Sequence, residues 1–122
     1  MTHDAASTRP RVELLWFRNC PNHSVARALL EEVLAALEPG TTIEDIDATD
    51  PIVAGRRRFP GSPTIRIDGR DVDPSYDDPG DYTPRCRLYR TADGLRGVPE
   101  RTWIEAALRA SLAERASTST LS

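Results

Sequence analysis

The chain has 122 residues, enough for one domain that buries roughly two thirds of its unfolded surface without disulfide or metal staples. Its net charge is −3 and all 16 basic residues are arginine, so there is no electrostatic case for nucleic acid. No apolar run reaches the about 18 residues that a membrane crossing needs. Two cysteines are too few for a disulfide scaffold, and the polar start holds no apolar signal region. The expected setting is the cytoplasm, with both thiols reduced at rest.

Residues 1–10 have no periodicity and are expected to form a flexible arm ahead of a single domain over 11–115. Val12 to Phe17 is apolar except for Glu13, a pattern that predicts a central strand covered on both faces. From about Asn22 to Glu38, Val25, Leu29, Leu30, Val33, Leu34 and Leu37 recur at helical spacing, and Pro39-Gly40 ends the helix. Thr41 to Asp47 is a weaker strand, which completes a strand–helix–strand unit with a right-handed crossover. Asp50 as N-cap and Pro51 in the first turn open a short helix that runs roughly to Arg58.

Ile65 to Asp68 alternates as a half-buried strand, and Gly69-Arg70 turns the chain. Residues 71–85 hold five Asp, three Pro and one Gly, with no aliphatic after Val72, and read as a solvated loop. The loop lacks the glycine and glutamate that a calcium-binding EF-hand loop needs. Cys86 to Thr91 is the fourth strand candidate, expected to pair antiparallel with Ile65–Asp68, with Leu88 in the core. Pro99 opens a last helix with Trp103, Ile104, Ala107, Leu108, Ser111 and Leu112 on one face. Residues 116–122 are expected to be a disordered tail.

The chemistry concentrates in Phe17-Arg18-Asn19-Cys20-Pro21-Asn22-His23, between the buried strand and the long helix. Unpaired N–H groups and a positive dipole end at a helix start favour an anion, and a thiolate is the anion on offer there. His23 stands three residues beyond Cys20, on the same helix face. It is either a hydrogen-bond or proton-transfer partner for the sulfur or a partly exposed first-turn histidine. Arg18, and Arg56, Arg57 and Arg58 before the Pro63 loop, either add positive potential and hold an anionic ligand such as a glutathione carboxylate, or form a solvated surface. Cys86 is either a second reactive thiol or a buried, inert one. Cys-x-x-His is half a zinc-site spacing with no second pair, so no resident metal and no cofactor is expected.

The order β-α-β-α-β-β-α resembles the thioredoxin-like superfamily over about residues 11–113. Cys20-Pro21-Asn22-His23 stands where that superfamily has Cys-x-x-Cys, and Ser62-Pro63-Thr64 stands where it has its cis-proline. Phe59 to Asp71, Cys86-Arg-Leu-Tyr and Gly94…Gly97-x-Pro99 are also similar to small bacterial thioredoxin-like proteins often labelled alkylmercury-lyase-related. The resemblance implies a four-stranded mixed sheet of order 2-1-3-4 flanked by three helices. It also implies a cis Ser62–Pro63 bond beside the reactive cysteine, with backbone groups before the proline offered to substrate. The fourth motif position is His23, so a dithiol cycle within the motif is excluded.

The leading expectation is a thiol–disulfide exchange protein, an oxidoreductase in the enzymatic case, acting on a small thiol or a protein disulfide. Cys20, His23 and Cys86 are its candidate reacting residues, and Arg18, Pro21, Arg58, Ser62 and Pro63 line its substrate site. A soft-metal thiolate binder for mercury or copper and a redox-inert interaction module are the alternatives. Oligomeric state has no signature in the sequence.

Overall fold

A computed structural model describes residues 9–121, with side chains through 116; the rest of the expected arm and tail lies outside the described residues. The elements are β1 (Val12–Trp16), α1 (His23–Leu37), β2 (Ile43–Asp47), α2 (Pro51–Arg56), β3 (Thr64–Ile67), β4 (Arg70–Asp71), β5 (Tyr89–Thr91), β6 (Gly94–Arg96) and α3 (Arg101–Leu121). They form an α/β fold whose main sheet is mixed, four-stranded and ordered β2-β1-β3-β4, beside a separate β5–β6 hairpin. β1 runs parallel to β2 and antiparallel to β3, so the most apolar strand sits inside the sheet as its composition predicts.

Successive side chains of a strand point to opposite faces, and β1 uses both. Val12 and Leu14 face one core with Ile67 and Ile65 opposite them, under Ala26, Leu30, Val33 and Leu34 of α1 and Ile104 and Leu108 of α3. Leu15 faces the other way, into a smaller cluster with Ile46, Ala48, Ala54 of α2 and Phe59. Two helices therefore cover one face and the short α2 covers the other. Truncating Leu14, Leu15 or Leu30 to alanine should cost about 2–5 kcal/mol each, since none of the three is exposed at all. Glu13, the polar exception in β1, is buried and pairs with Arg11 at 3.2 Å and Arg57 at 3.4 Å.

The fourth strand is not the one that the sequence predicts. β4 is Arg70–Asp71, paired with Arg66 and Ile67 through a two-residue turn in which Asp68 (φ 54°) and Gly69 (φ 81°) both have positive φ. That primed-turn backbone matches the twist of the strands and sends the chain straight back along β3. By the time the chain reaches Cys86, most of that edge is taken. Cys86 makes one parallel bridge, to Ser62, and Tyr89–Thr91 pairs instead with Gly94–Arg96. Leu88 is 67% exposed rather than core, and Val25 and Leu112 are exposed at the ends of their helical stripes.

Three further features lie at the two ends of the described chain. Arg9 Nη1 donates to the Pro39 carbonyl at 2.6 Å, Pro10 is buried, and α3 continues past 115 to Leu121. Among the described residues, no helix is long and apolar enough to cross a membrane.

Candidate functional site

β1 delivers the chain to Cys20 through a turn in which the Cys20 N–H donates to the Phe17 carbonyl at 3.2 Å and Asn19 has φ 70°. A second turn, Cys20 to His23, leads into α1. Asn22 is the N-cap residue, yet its side chain makes no capping hydrogen bond and the first turn holds no acidic residue. The Asn22 amide lies against Gly97 instead: a Cβ at Gly97 would stand 2.0 Å from Asn22 Nδ2. The segment after β6 is thus pressed onto the cysteine motif, and only a residue without a side chain leaves room there. Gly97 lies in the Gly94…Gly97-x-Pro99 run, but no local signal ties it to Asn22.

β1 and β3 are antiparallel with Leu15 opposite Thr64, so the residues before Thr64 lie at the end of the sheet where β1 leads into Cys20. Those residues are Ser62 and Pro63, both buried and joined by a cis peptide bond, as the resemblance implies. The Ser62 N–H donates to the Arg85 carbonyl at 2.7 Å and the Arg87 N–H donates to the Ser62 carbonyl at 2.9 Å. Cys86, between those arginines, therefore lies at the same end of the sheet as Cys20, not at the far end where an antiparallel hairpin would start it. Both cysteines are free thiols, Cys20 half-buried and Cys86 exposed.

Those two hydrogen bonds also occupy the backbone groups of Ser62 that the resemblance implies for substrate. The loop is held from behind as well. The Tyr89 hydroxyl donates to the Pro63 carbonyl, the Thr64 hydroxyl donates to the Gly61 carbonyl at 2.6 Å, and Arg87 Nη1 donates to Thr64 Oγ1 at 2.9 Å. Burial, the largest influence, pushes the Tyr89 phenol pKa upward, so it remains a hydrogen-bond donor across the usual pH range. The Ser62 hydroxyl is fully buried and has no hydrogen-bond partner among the described residues.

His23 is engaged away from the motif backbone. Its ring stacks on Trp16, centroids 4.2 Å apart and planes 14° from parallel. Its Nε2 lies 3.5 Å from Asp45 Oδ1 without hydrogen-bond geometry. Asp45 also accepts from the Trp16 indole N–H and from Arg27.

The arginines are largely spent on this chain's own carboxylates. Arg58 holds Asp78 through Nε at 3.0 Å and Nη2 at 2.8 Å and lies over the Tyr82 ring. Arg57 reaches Glu13 and Glu44. Arg18 is exposed, its guanidinium 3.8 Å from Asp47 and its N–H donating to Thr49 Oγ1 at 2.9 Å. The Thr49 hydroxyl and N–H, followed by the charge of Arg18, hold the Asp47 carboxyl below its ordinary pKa. Arg18, Asp47, Thr49, Asp50 and Pro51 line a cavity of about 480 Å³ next to the Cys20 turn. Pro21 is exposed beside the thiol. Among the described residues, no three His, Cys, Asp or Glu side chains converge as a metal cage would require. No protein-family model matches the chain, and no curated protein is significantly similar to it.

Proposed function

We propose that the chain is a thiol-dependent protein of thioredoxin-like fold, in which Cys20 carries out thiol–disulfide exchange. The observation that carries this reading is the Ser62–Cys86 bridge, because it brings a second free thiol to the sheet end from which Cys20 emerges. The order of the sheet, the strand-to-helix position of Cys20 and the Pro63 loop at the same end support it. Cys20, as thiolate, attacks one sulfur of a disulfide; a Cys20–S bond forms, the substrate S–S bond breaks, and the leaving thiolate takes a proton from water. The mixed disulfide is then resolved by Cys86 or by an external thiol, since His23 supplies no sulfur. Arg18, in the turn before Cys20 and with 75% of its side chain exposed, is the cation offered to an anionic substrate group.

Peptide mapping after treatment with a small disulfide tests the assignment. Cys20 should carry the first adduct, and the wild type should pass on to a Cys20–Cys86 disulfide if Cys86 is the resolving thiol. Cys86→Ser should then stop at the mixed disulfide. Adducts on Cys86 alone would remove Cys20 from its role.

A further inference from the structure

We propose that the segment Arg85–Arg87 is a built-in occupant of the strand edge beside Cys20, and that it restricts the site to small disulfides by excluding extended peptide. This rests on the thiol-exchange reading of Cys20 given above. An extended peptide can dock on a protein by adding a strand to an unpaired sheet edge. The outer edge of β3 runs toward the Cys20 end of the sheet on the side of the Pro63 loop, and the chain has closed that edge. Arg70 and Asp71 pair with Ile67 and Arg66, the Val72 N–H donates to the Ile65 carbonyl at 3.1 Å, and both Ser62 backbone groups are taken by the Arg85–Arg87 segment. β1 covers the other edge.

The segment is seated, not merely laid across. Gly61 has φ +133°, and a Cβ there would stand 2.9 Å from Arg87 Cβ and 3.3 Å from its Cα. The two stretches meet at a distance that only glycine allows. The Arg87 side chain anchors the segment by its ion pair to Asp71, by Thr64, and by the faces of Tyr89 and Tyr76, 4.3 Å and 5.3 Å from the ring centroids. Cys86 rides on this anchored piece with its side chain exposed. Bridge partners point their side chains to the same side of the ladder, so the buried, unpartnered Ser62 hydroxyl lies on the side that Cys86 shares. The backbone ladder that a peptide would need along this edge is thus used up. A small disulfide needs no ladder, only a sulfur in line with the Cys20 thiolate, and the exchange is balanced without any other oxidant.

The test compares single-turnover rates of wild-type Cys20 with two substrates, followed by mass spectrometry of the Cys20 peptide. One is bis(2-hydroxyethyl) disulfide; the other is the mixed disulfide of 2-mercaptoethanol with a cysteine inside an unstructured peptide. Each rate is divided by that of a free small thiol with the same substrate. If the open state is a minor population, the peptide should be disfavoured by about tenfold or more. Equal normalised rates overturn the proposal and leave the thiol reading standing; no reaction of Cys20 with either substrate removes both. Arg87→Met should bring the ratio toward one, and a folded variant with an unchanged ratio also overturns it. Should that variant not fold, hydrogen exchange at the wild-type Arg87 amide decides. Protection is expected, and exchange at the free-chain rate overturns the proposal.

Discussion

Arg87 closes on Asp71 in a two-pronged ion pair, Nη1 2.6 Å and Nη2 3.0 Å from the carboxylate oxygens, with only 9% and 3% of the two side chains exposed. It joins the end of the long loop to β4, and so decides where Cys86 lies. Arg87→Ala should lower stability by about 3–5 kcal/mol, because it leaves a carboxylate buried with its partner gone. Arg87→Lys should recover only part of this, since an ammonium supplies neither the fork nor the flat face against Tyr89. Urea unfolding measures both; a loss below about 1 kcal/mol would mean the pair is no better than a surface bridge.

Gly97 and Asn22 make a second coupled pair. Gly97→Ala puts a methyl group where Asn22 Nδ2 now lies and should cost about 1–3 kcal/mol, the usual range for overpacking. Asn22→Ala should cancel most of that cost in the double variant, which a double-mutant cycle reads directly. Additive losses would show that the two residues do not compete for the same space.

The two thiols should differ in reactivity despite their exposure. Cys86 is the more open, but Arg85 and Arg87 beside it are paired with Asp81 and Asp71. Cys20 precedes a helix whose first turn has no acidic residue and no side-chain cap, so backbone N–H groups remain for an anion. In iodoacetamide labelling across about pH 5 to 9, Cys86→Ser should keep the fast phase and Cys20→Ser should lose it. The reverse pattern would assign the reaction to Cys86.

Acid should loosen the long loop before the domain. The Gly80 N–H, the Tyr82 hydroxyl and Arg58 hold the Asp78 carboxyl at about 2, below its ordinary value of 3.8. A carboxyl depressed in the folded state adds stability that is fully present above its unfolded value and is lost as pH falls through the folded one. The Arg58–Asp78–Tyr82 cluster should therefore weaken between pH 3.8 and about 2. Asp78 exchange-resolved NMR or amide exchange at Gly80 follows it, and Asp78→Asn should flatten the response; a flat wild-type profile over that window would count against the cluster.

Elements with dense local signals were legible from the chain alone. Continuous apolar residues made β1 a central strand, the period of α1 showed its buried face, and Asp50-Pro51 marked a helix start whose Asp50 side chain does accept the Ile52 N–H at 2.8 Å. The position of Cys20 between strand and helix followed from the same signals. The Asp68-Gly69 pair carried a hairpin cue as well, yet Cys86–Thr91 has the β-type composition and drew the fourth strand to itself.

What only tertiary structure decided is the path of residues 72–88 and, with it, the site. That stretch is polar and aperiodic, so nothing local says which edge it meets. Its course is set by Asx and hydroxyl turns at Asp71, Asp73, Asp78 and Asp81, and by Arg87 finding Asp71. The partners of His23 are equally non-local, since Trp16 and Asp45 come from β1 and β2. Hydrophobic period and helix caps act within a few residues and can be read from the chain. A buried ion pair and one backbone bridge join segments far apart, and only packing selects which groups meet.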